Sequence, residues 1–503
     1  MTRKQRDTEE VDLRLSKKQK TTPTNASPKQ NSKASATFDA SFVKKTEEFL
    51  SQSGTIREDT DVLLSFGALY SVPFQHGVLK SVFGQQFLST DFEITQVKPL
   101  VKLRESLHSL APVISKLMNV ELGTTIDISG HKYPPMGFLA CHDDDIGTDK
   151  THRRVAFIVY LVDKDWNEGD GGRLNLFDAD DNSQPSKIIK SIIPQWNTIA
   201  FFKVSPTSYH EVEEVLGRRD RVSVSGWFHG PPSEDTEADK EAKDETMSTT
   251  SADEEKSYPD MFSSFDWWLL INPAYQQQLS CEALISTFLD ESSITLQNFL
   301  ELDIANTIAR QLVKCPFEQV GPPNRRRYSI CESNSQPASN DGSVSVKRIH
   351  DWLVSPDFIK YLATMTSLDL STTTPPSSEC RKFKPGDYTL LVDDQPESAG
   401  LDLVLSFEYD LNDQIIPDLE KRGDDMAEDD EDEESPLNMS GKLNYVDGDE
   451  TLASVSLKHN TLFMAYRVAG TSRFVRRISQ LAKSYRIEFS LVYPVDDNDS
   501  ASE

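Results

Sequence analysis

Five short segments of this 503-residue chain recur, in the same order, in its second half. Leu139-Ala-Cys-His-Asp-Asp144 falls on Thr389-Leu-Leu-Val-Asp-Asp394, Gly172-Arg-Leu-Asn-Leu-Phe-Asp178 on Gly441-Lys-Leu-Asn-Tyr-Val-Asp447, and Asn197-Thr198 on Asn460-Thr461. Val204 to His210 then matches Val468 to Phe474, and Arg221-Val-Ser-Val-Ser225 matches Arg486-Ile-Glu-Phe-Ser490. Chance supplies one such match; five in order mean two copies of one fold. A chain of this length is too long for a single core, so two domains are expected.

The copies read as β. Val155 to Val162, Gly172 to Phe177, Thr198 to Val204 and Arg221 to Phe228 are short β-rich runs separated by turn residues, the texture of a jelly-roll barrel. Helical spacing precedes each copy: Phe42, Phe49 and Leu50 and then Val101 to Met118 before the first, Leu284 to Leu302 and Ile349 to Leu370 before the second. The expected class is mainly β with flanking helices (α+β), with barrels over residues 38–232 and 258–503. Residues 1–37, polar and nearly without aromatics, read as a disordered basic tail, 233–257 as an acidic linker, and about 420–436 as an acidic loop inside the second barrel.

Composition excludes several classes. No apolar run approaches the roughly 20 residues of a spanning helix, and no apolar signal core stands at the N-terminus, so no membrane role is expected. A net charge of −28 argues against direct nucleic-acid binding and for a basic protein partner. The five cysteines are scattered without paired spacing, which fits a reducing compartment. Ser16-Lys17-Lys18-Gln19-Lys20 reads as an import patch, and nucleus and cytoplasm are the expected locations.

The chemistry concentrates in the first copy. His142 and Asp144 are two apart, so on a strand they share a face while Asp143 points away. His210, from a later strand, completes a two-histidine, one-carboxylate triad that leaves three open positions on an octahedral ferrous ion. His229, on the inward phase of the Arg221 strand, competes as third ligand. A ligand on the preceding strand leaves the arginine strand free, which favours His210 and leaves His229 as a substrate contact. Arg221, Ser223 and Ser225 form a polar inward stripe opposite Val222 and Val224. A planar guanidinium there neutralises the distal carboxylate of a chelating keto acid, with Tyr160 or Tyr133 adding a hydrogen bond. In the second copy Asp394 and Arg486 persist, but Val392 and Phe474 fall where the imidazoles stand. One carboxylate does not hold a transition metal against water, so that barrel is expected to be a metal-free scaffold or docking surface.

These segments, with Val155 to Leu161, Gly171-Gly-Arg-Leu-Asn-Leu176, Arg221 to Gly230 and Gly386-Asp-Tyr-Thr-Leu-Leu391, resemble the 2-oxoglutarate and iron(II)-dependent oxygenases. The similarity is greatest to the ribosomal-protein prolyl 3,4-dihydroxylases of the fungal branch, over about residues 38–495. The resemblance implies two tandem double-stranded β-helix domains with activity only in the first. It implies iron on His142, Asp144 and His210, and 2-oxoglutarate held by Arg221 with Ser223 and Tyr160 or Tyr133. It also implies O2 as co-substrate, ascorbate as an accessory, and a prolyl residue of a small-subunit ribosomal protein as target. Links to translation and oxygen sensing, and a regulatory partner on the C-terminal barrel, belong to the same expectation. A second reading makes the chain an oxygen-sensitive adaptor acting through binding rather than turnover. The segment Gly147 to His152, after the first metal strand, departs from the pattern near the expected site mouth.

Overall fold

The computed structural model describes residues 39–52, 62–80 apart from 65, 97–144, 152–231, 267–332 apart from 277, 344–371, 374–416 apart from 375, 395 and 397, and 441–495. The expected tail, linker and acidic loop, and Gly147–Thr151, lie outside these residues. No described helix is long and apolar enough to cross a membrane.

The first half opens with α1 (Ala40–Ser51), whose first turn is capped by the Asp39 carboxylate accepting from the backbone N of Ser41 and Phe42 at 2.9 and 3.1 Å. Strands β1 (Val62–Leu64), β2 (Gly67–Tyr70) and β3 (His76–Lys80) precede α2 (Val97–Met118). Then follow β4 (Ile126–Tyr133), β5 (Leu139–His142), β6 (His152–Tyr160), β7 (Leu174–Ala179), β8 (Pro185–Ile192), β9 (Thr198–Lys203), β10 (His210–Val212) and β11 (Arg221–Gly230). They form a seven-stranded sheet, β1-β2-β3-β9-β6-β11-β4, facing a four-stranded one, β5-β10-β7-β8. The period-2 alternation sorts β6 between two cores. Val155, Phe157 and Val159 pack with Leu103, Leu107 and Ile114 of α2, whereas Ala156, Ile158 and Tyr160 meet Leu174, Leu176 and Phe202 between the sheets.

The second half begins with α3 (Gln278–Glu291), β12 (Ser293–Leu296), α4 (Leu302–Leu312), β13 (Glu318–Val320) and β14 (Arg326–Cys331), then α5 (Val346–Leu353) and α6 (Pro356–Thr366). After these come β15 (Ser377–Phe383), β16 (Tyr388–Thr389), β17 (Gly400–Asp410), β18 (Leu443–Asp447), β19 (Glu450–Val455), β20 (Thr461–Arg467), β21 (Ser472–Val475) and β22 (Ser484–Pro494). The large sheet runs β12-β20-β17-β22-β15-β14-β13 and the small one β19-β18-β21. Its central order β12-β20-β17-β22-β15 repeats β3-β9-β6-β11-β4 of the first half, and β19-β18-β21 repeats β8-β7-β10.

Three expectations need correction. Strands begin at β1 and β4, before Pro134, not after it. The run Leu284–Leu302 is not one helix: Ser292, at φ 55°, ends α3, and β-branched Ile294 and Thr295 pair with β20 as an edge strand. The run Ile349–Leu370 is broken at Ser355-Pro356, where the Ser355 hydroxyl accepts from Phe358 N at 3.3 Å and starts a new helix.

The halves touch through the segments that follow β10 and β21. The Glu214 carboxylate, 1% exposed, accepts from the Ser479 hydroxyl and from Gln480 N at 2.8 Å. The Arg477 guanidinium lies 4.8 Å from the Phe138 ring and 5.5 Å from that of Tyr388; Phe138 and Tyr388 immediately precede the matched segments at Leu139 and Thr389.

Candidate metal centre

Strands β5 and β10 pair so that His142 and His210 face each other directly, with ring centroids 4.4 Å apart. Asp144 lies two residues beyond the end of β5 rather than on it, yet its carboxylate reaches both rings, 3.8 Å from His142 Nε2 and 3.6 Å from His210 Nε2. One ligand atom from each of the three falls within 4.8 Å of the others. Each imidazole is oriented from behind: Nδ1 of His142 is 2.7 Å from Ala140 O and Nδ1 of His210 is 3.0 Å from Ser208 O. A carbonyl accepts only, so Nδ1 carries the proton and the Nε2 lone pair faces Asp144. Burial pushes His210 down to about 4, against the pull of Asp144, so the ring is neutral at pH 7. Two imidazoles and one carboxylate are a donor set suited to ferrous iron with free positions.

On β11 of the same sheet pair Arg221 is buried, 1% exposed. Its Nε donates to Gly172 O at 2.7 Å, and the guanidinium lies 5.2 Å from the Tyr133 ring and 5.3 Å from the Tyr160 ring. Among the described residues, Arg221 Nη2 and the Tyr160 hydroxyl are buried without a hydrogen-bond partner. Burial pushes the Tyr160 hydroxyl up to about 12, against the pull of Arg221, so it remains a donor. Burial also holds the guanidinium below its ordinary value, against the opposing pull of Tyr160 and Tyr133. Orphaned donors of this kind are costly unless a ligand satisfies them, and a dicarboxylate's distal end fits both. Ser223, opposite Tyr160 across β6 and β11, keeps the space small-sided, its hydroxyl 3.4 Å from Arg221 Nη1.

Among the sequence candidates, His229 is not part of the cluster: its Nε2 is 2.9 Å from the Asp127 carboxylate. Two contributors escaped the sequence reading. Gly172, at φ 66°, is required because a Cβ there would lie 2.7 Å from Arg221 Cδ. Arg153 donates to Asp144 O at 3.4 Å and stacks 3.6 Å over Trp227; Trp227's inward phase with Arg221 was the available signal.

The second half fills the corresponding space with its own side chains. The ladder places Arg473, not Phe474, opposite Tyr445, as His210 is placed opposite Leu176, so the earlier match slips by one residue. Arg473 pairs with Asp394 at 2.6 Å and with fully buried Asp402 at 3.1 Å: a guanidinium stands where a metal would. Burial would raise Asp394, but Arg473 and Arg467 outweigh it and hold the carboxyl below its ordinary value. Arg486 repeats Arg221, donating to Gly441 O at 2.5 Å. Glu488 replaces Ser223 and accepts from Arg486 Nε at 2.7 Å and from Arg381 Nε at 3.0 Å. An internal carboxylate therefore occupies the place of a bound one.

The antiparallel sheet pair, the His142-Asp144-His210 cluster and the buried Arg221 define a 2-oxoglutarate and iron(II)-dependent oxygenase, with Fe(II), 2-oxoglutarate and O2 as its requirements. Residues 128–229 match the 2OG-Fe(II) oxygenase superfamily, and residues 267–501 match the family described as oxoglutarate and iron-dependent oxygenase degradation C-term. The prolyl 3-hydroxylase OGFOD1 of Xenopus laevis is 31% identical over 455 residues, 82% of this chain and 84% of the relative. The prolyl 3,4-dihydroxylase OGFOD1 of Ostreococcus tauri is 31% identical over 349 residues, 59% and 64% of the two chains. The prolyl 3-hydroxylase sudestada1 of Drosophila melanogaster is 25% identical over 393 residues, 73% and 68%. The chain belongs to this OGFOD1 family of 2-oxoglutarate-dependent dioxygenases.

Proposed function

We propose that this enzyme hydroxylates a prolyl residue of a basic protein, a small-subunit ribosomal protein, using 2-oxoglutarate and O2. The observation that carries the reading is the convergence of His142, Asp144 and His210 in a half that also buries Arg221 Nη2 and the Tyr160 hydroxyl without hydrogen-bond partners among the described residues. His142, Asp144 and His210 hold iron; Arg221, with Tyr160 and the flanking Tyr133 and Ser223, anchors the distal carboxylate of 2-oxoglutarate. Bound iron supplies oxygen activation coupled to oxidative decarboxylation of the keto acid to succinate. The chain's own part is to orient both reactants and to keep water from a mostly buried site. The names of its relatives support proline as target, and the net charge of −28 favours a basic substrate.

In this reading the front barrel, residues 38–232, works alone, and residues 258–503 form a second double-stranded β-helix used for docking a regulatory partner, in nucleus and cytoplasm. The repeated strand order supports a common fold for the halves. The test is intact-mass analysis of purified ribosomal proteins incubated with the enzyme, ferrous salt and 2-oxoglutarate. A gain of one or two oxygens on a proline peptide is expected. Succinate formation with no oxygen gained on any prolyl peptide refutes the substrate class.

A further inference from the structure

The contact between the halves reaches the cosubstrate arginine. Glu214 is a buried carboxylate, and both its oxygens accept hydrogen bonds from the other half, from the Ser479 hydroxyl and Gln480 N. A buried carboxylate is costly unless so satisfied, which makes this a fixed point and not a chance surface touch. The backbone of the same residue leads inward: Glu214 O accepts from Gly172 N at 3.0 Å, and Gly172 O accepts from Arg221 Nε at 2.7 Å. Glu213 N to Arg173 O at 2.8 Å and Leu216 N to Asp170 O at 2.9 Å fasten the two segments side by side, so they shift together. The absent Cβ of Gly172 lets this strap lie directly on the Arg221 stem.

We infer that Glu214 is a positioning residue through which the C-terminal half sets the orientation of Arg221 and hence the affinity for 2-oxoglutarate. The inference rests on the cosubstrate role of Arg221 given above. Three links separate Ser479 from the guanidinium, and none of them is a member of the His142-Asp144-His210 cluster. The relay therefore acts on dicarboxylate binding and leaves metal binding alone.

The test uses the full chain loaded with Mn(II), with 2-oxoglutarate affinity read by calorimetry, Mn(II) affinity by electron paramagnetic resonance, and Tm alongside. Glu214→Ala is expected to weaken 2-oxoglutarate about tenfold while Mn(II) affinity stays within about twofold. Glu214→Gln restores most of the loss, because its amide oxygen still accepts from Gln480 N and its NH2 donates to the Ser479 oxygen. Ser479→Ala, on the opposite side of the contact, shows the same selective weakening and stands in if Glu214→Ala does not fold. Wild-type 2-oxoglutarate affinity in folded Glu214→Ala or Ser479→Ala overturns the inference, as does a parallel fall of both affinities that Glu214→Gln fails to restore. Arg221→Ala separates the layers: if it binds 2-oxoglutarate as wild type does, the cosubstrate reading itself falls and the relay with it.

Discussion

Ser223→Glu transplants the second half's arrangement into the first. Glu488, at the matching position, accepts from Arg486 Nε at 2.7 Å, and burial notwithstanding, Arg486 and Arg381 hold its carboxyl below the ordinary value. Placed at 223, on a strand directly opposite Tyr160, a carboxylate would meet Arg221 Nη2 and the Tyr160 hydroxyl, which lack hydrogen-bond partners among the described residues. A charge-assisted hydrogen bond is worth about 1.5–3 kcal/mol net, and 1.4 kcal/mol is about tenfold in affinity. The dissociation constant for 2-oxoglutarate is therefore expected to rise about ten- to hundredfold. Because the new side chain competes for one cation, the apparent KM for 2-oxoglutarate rises while kcat at saturation is largely recovered. Calorimetry on the Mn(II) form and succinate release on the iron form measure the two quantities, and Ser223→Gln controls for size. A folded Ser223→Glu protein with unchanged affinity would refute the assignment of Arg221 as anchor.

The reciprocal change, Glu488→Ser, removes the carboxylate that Arg381 and Arg486 share, both of them about 5% exposed or less; it is expected to cost about 3–5 kcal/mol, read as a lower denaturant midpoint with turnover per folded molecule retained. Asp144→Ala leaves two imidazoles and no carboxylate, so Mn(II) binding and succinate release are both lost while the circular dichroism spectrum is kept; retained succinate release would remove the iron site. Acid acts on the second half through Asp394 and Glu488, whose folded values lie below their ordinary ones. Their stabilisation is complete above the ordinary carboxylate range and is lost as pH falls through the depressed folded values. Arg381→Met and Arg473→Met should flatten that acid slope, and an unchanged slope in urea titrations across pH would contradict it.

Much of the site was legible because its chemistry dictates residue types that composition rarely supplies together. His142 with Asp144, His210 and Arg221 come from three chain segments, yet the alternation of β11 and the order of the repeat were enough to group them. Register was not legible. Arg473 and Phe474 are neighbours, and a repeat match tolerates a slip of one that a sheet does not, since it exchanges the inward and outward faces. Asp144 was expected on a strand and acts from beyond its end, where the backbone is free to turn the carboxylate toward both rings. The helix–strand boundary at Ser292 and the break at Ser355-Pro356 are decided by tertiary pairing and capping, which override helical periodicity. Glu214 gave no signal at all, because its partners Ser479 and Gln480 lie in the distant half of the chain.

The arginines that answer Asp394, Asp402 and Glu488 come from the same half as those acids. Each of these acids is thus answered by guanidinium groups before any ion arrives, whereas Asp144 faces the two imidazoles of the cluster. Chelation of the metal is therefore expected to silence the front of the molecule and to leave the fold of the rear standing.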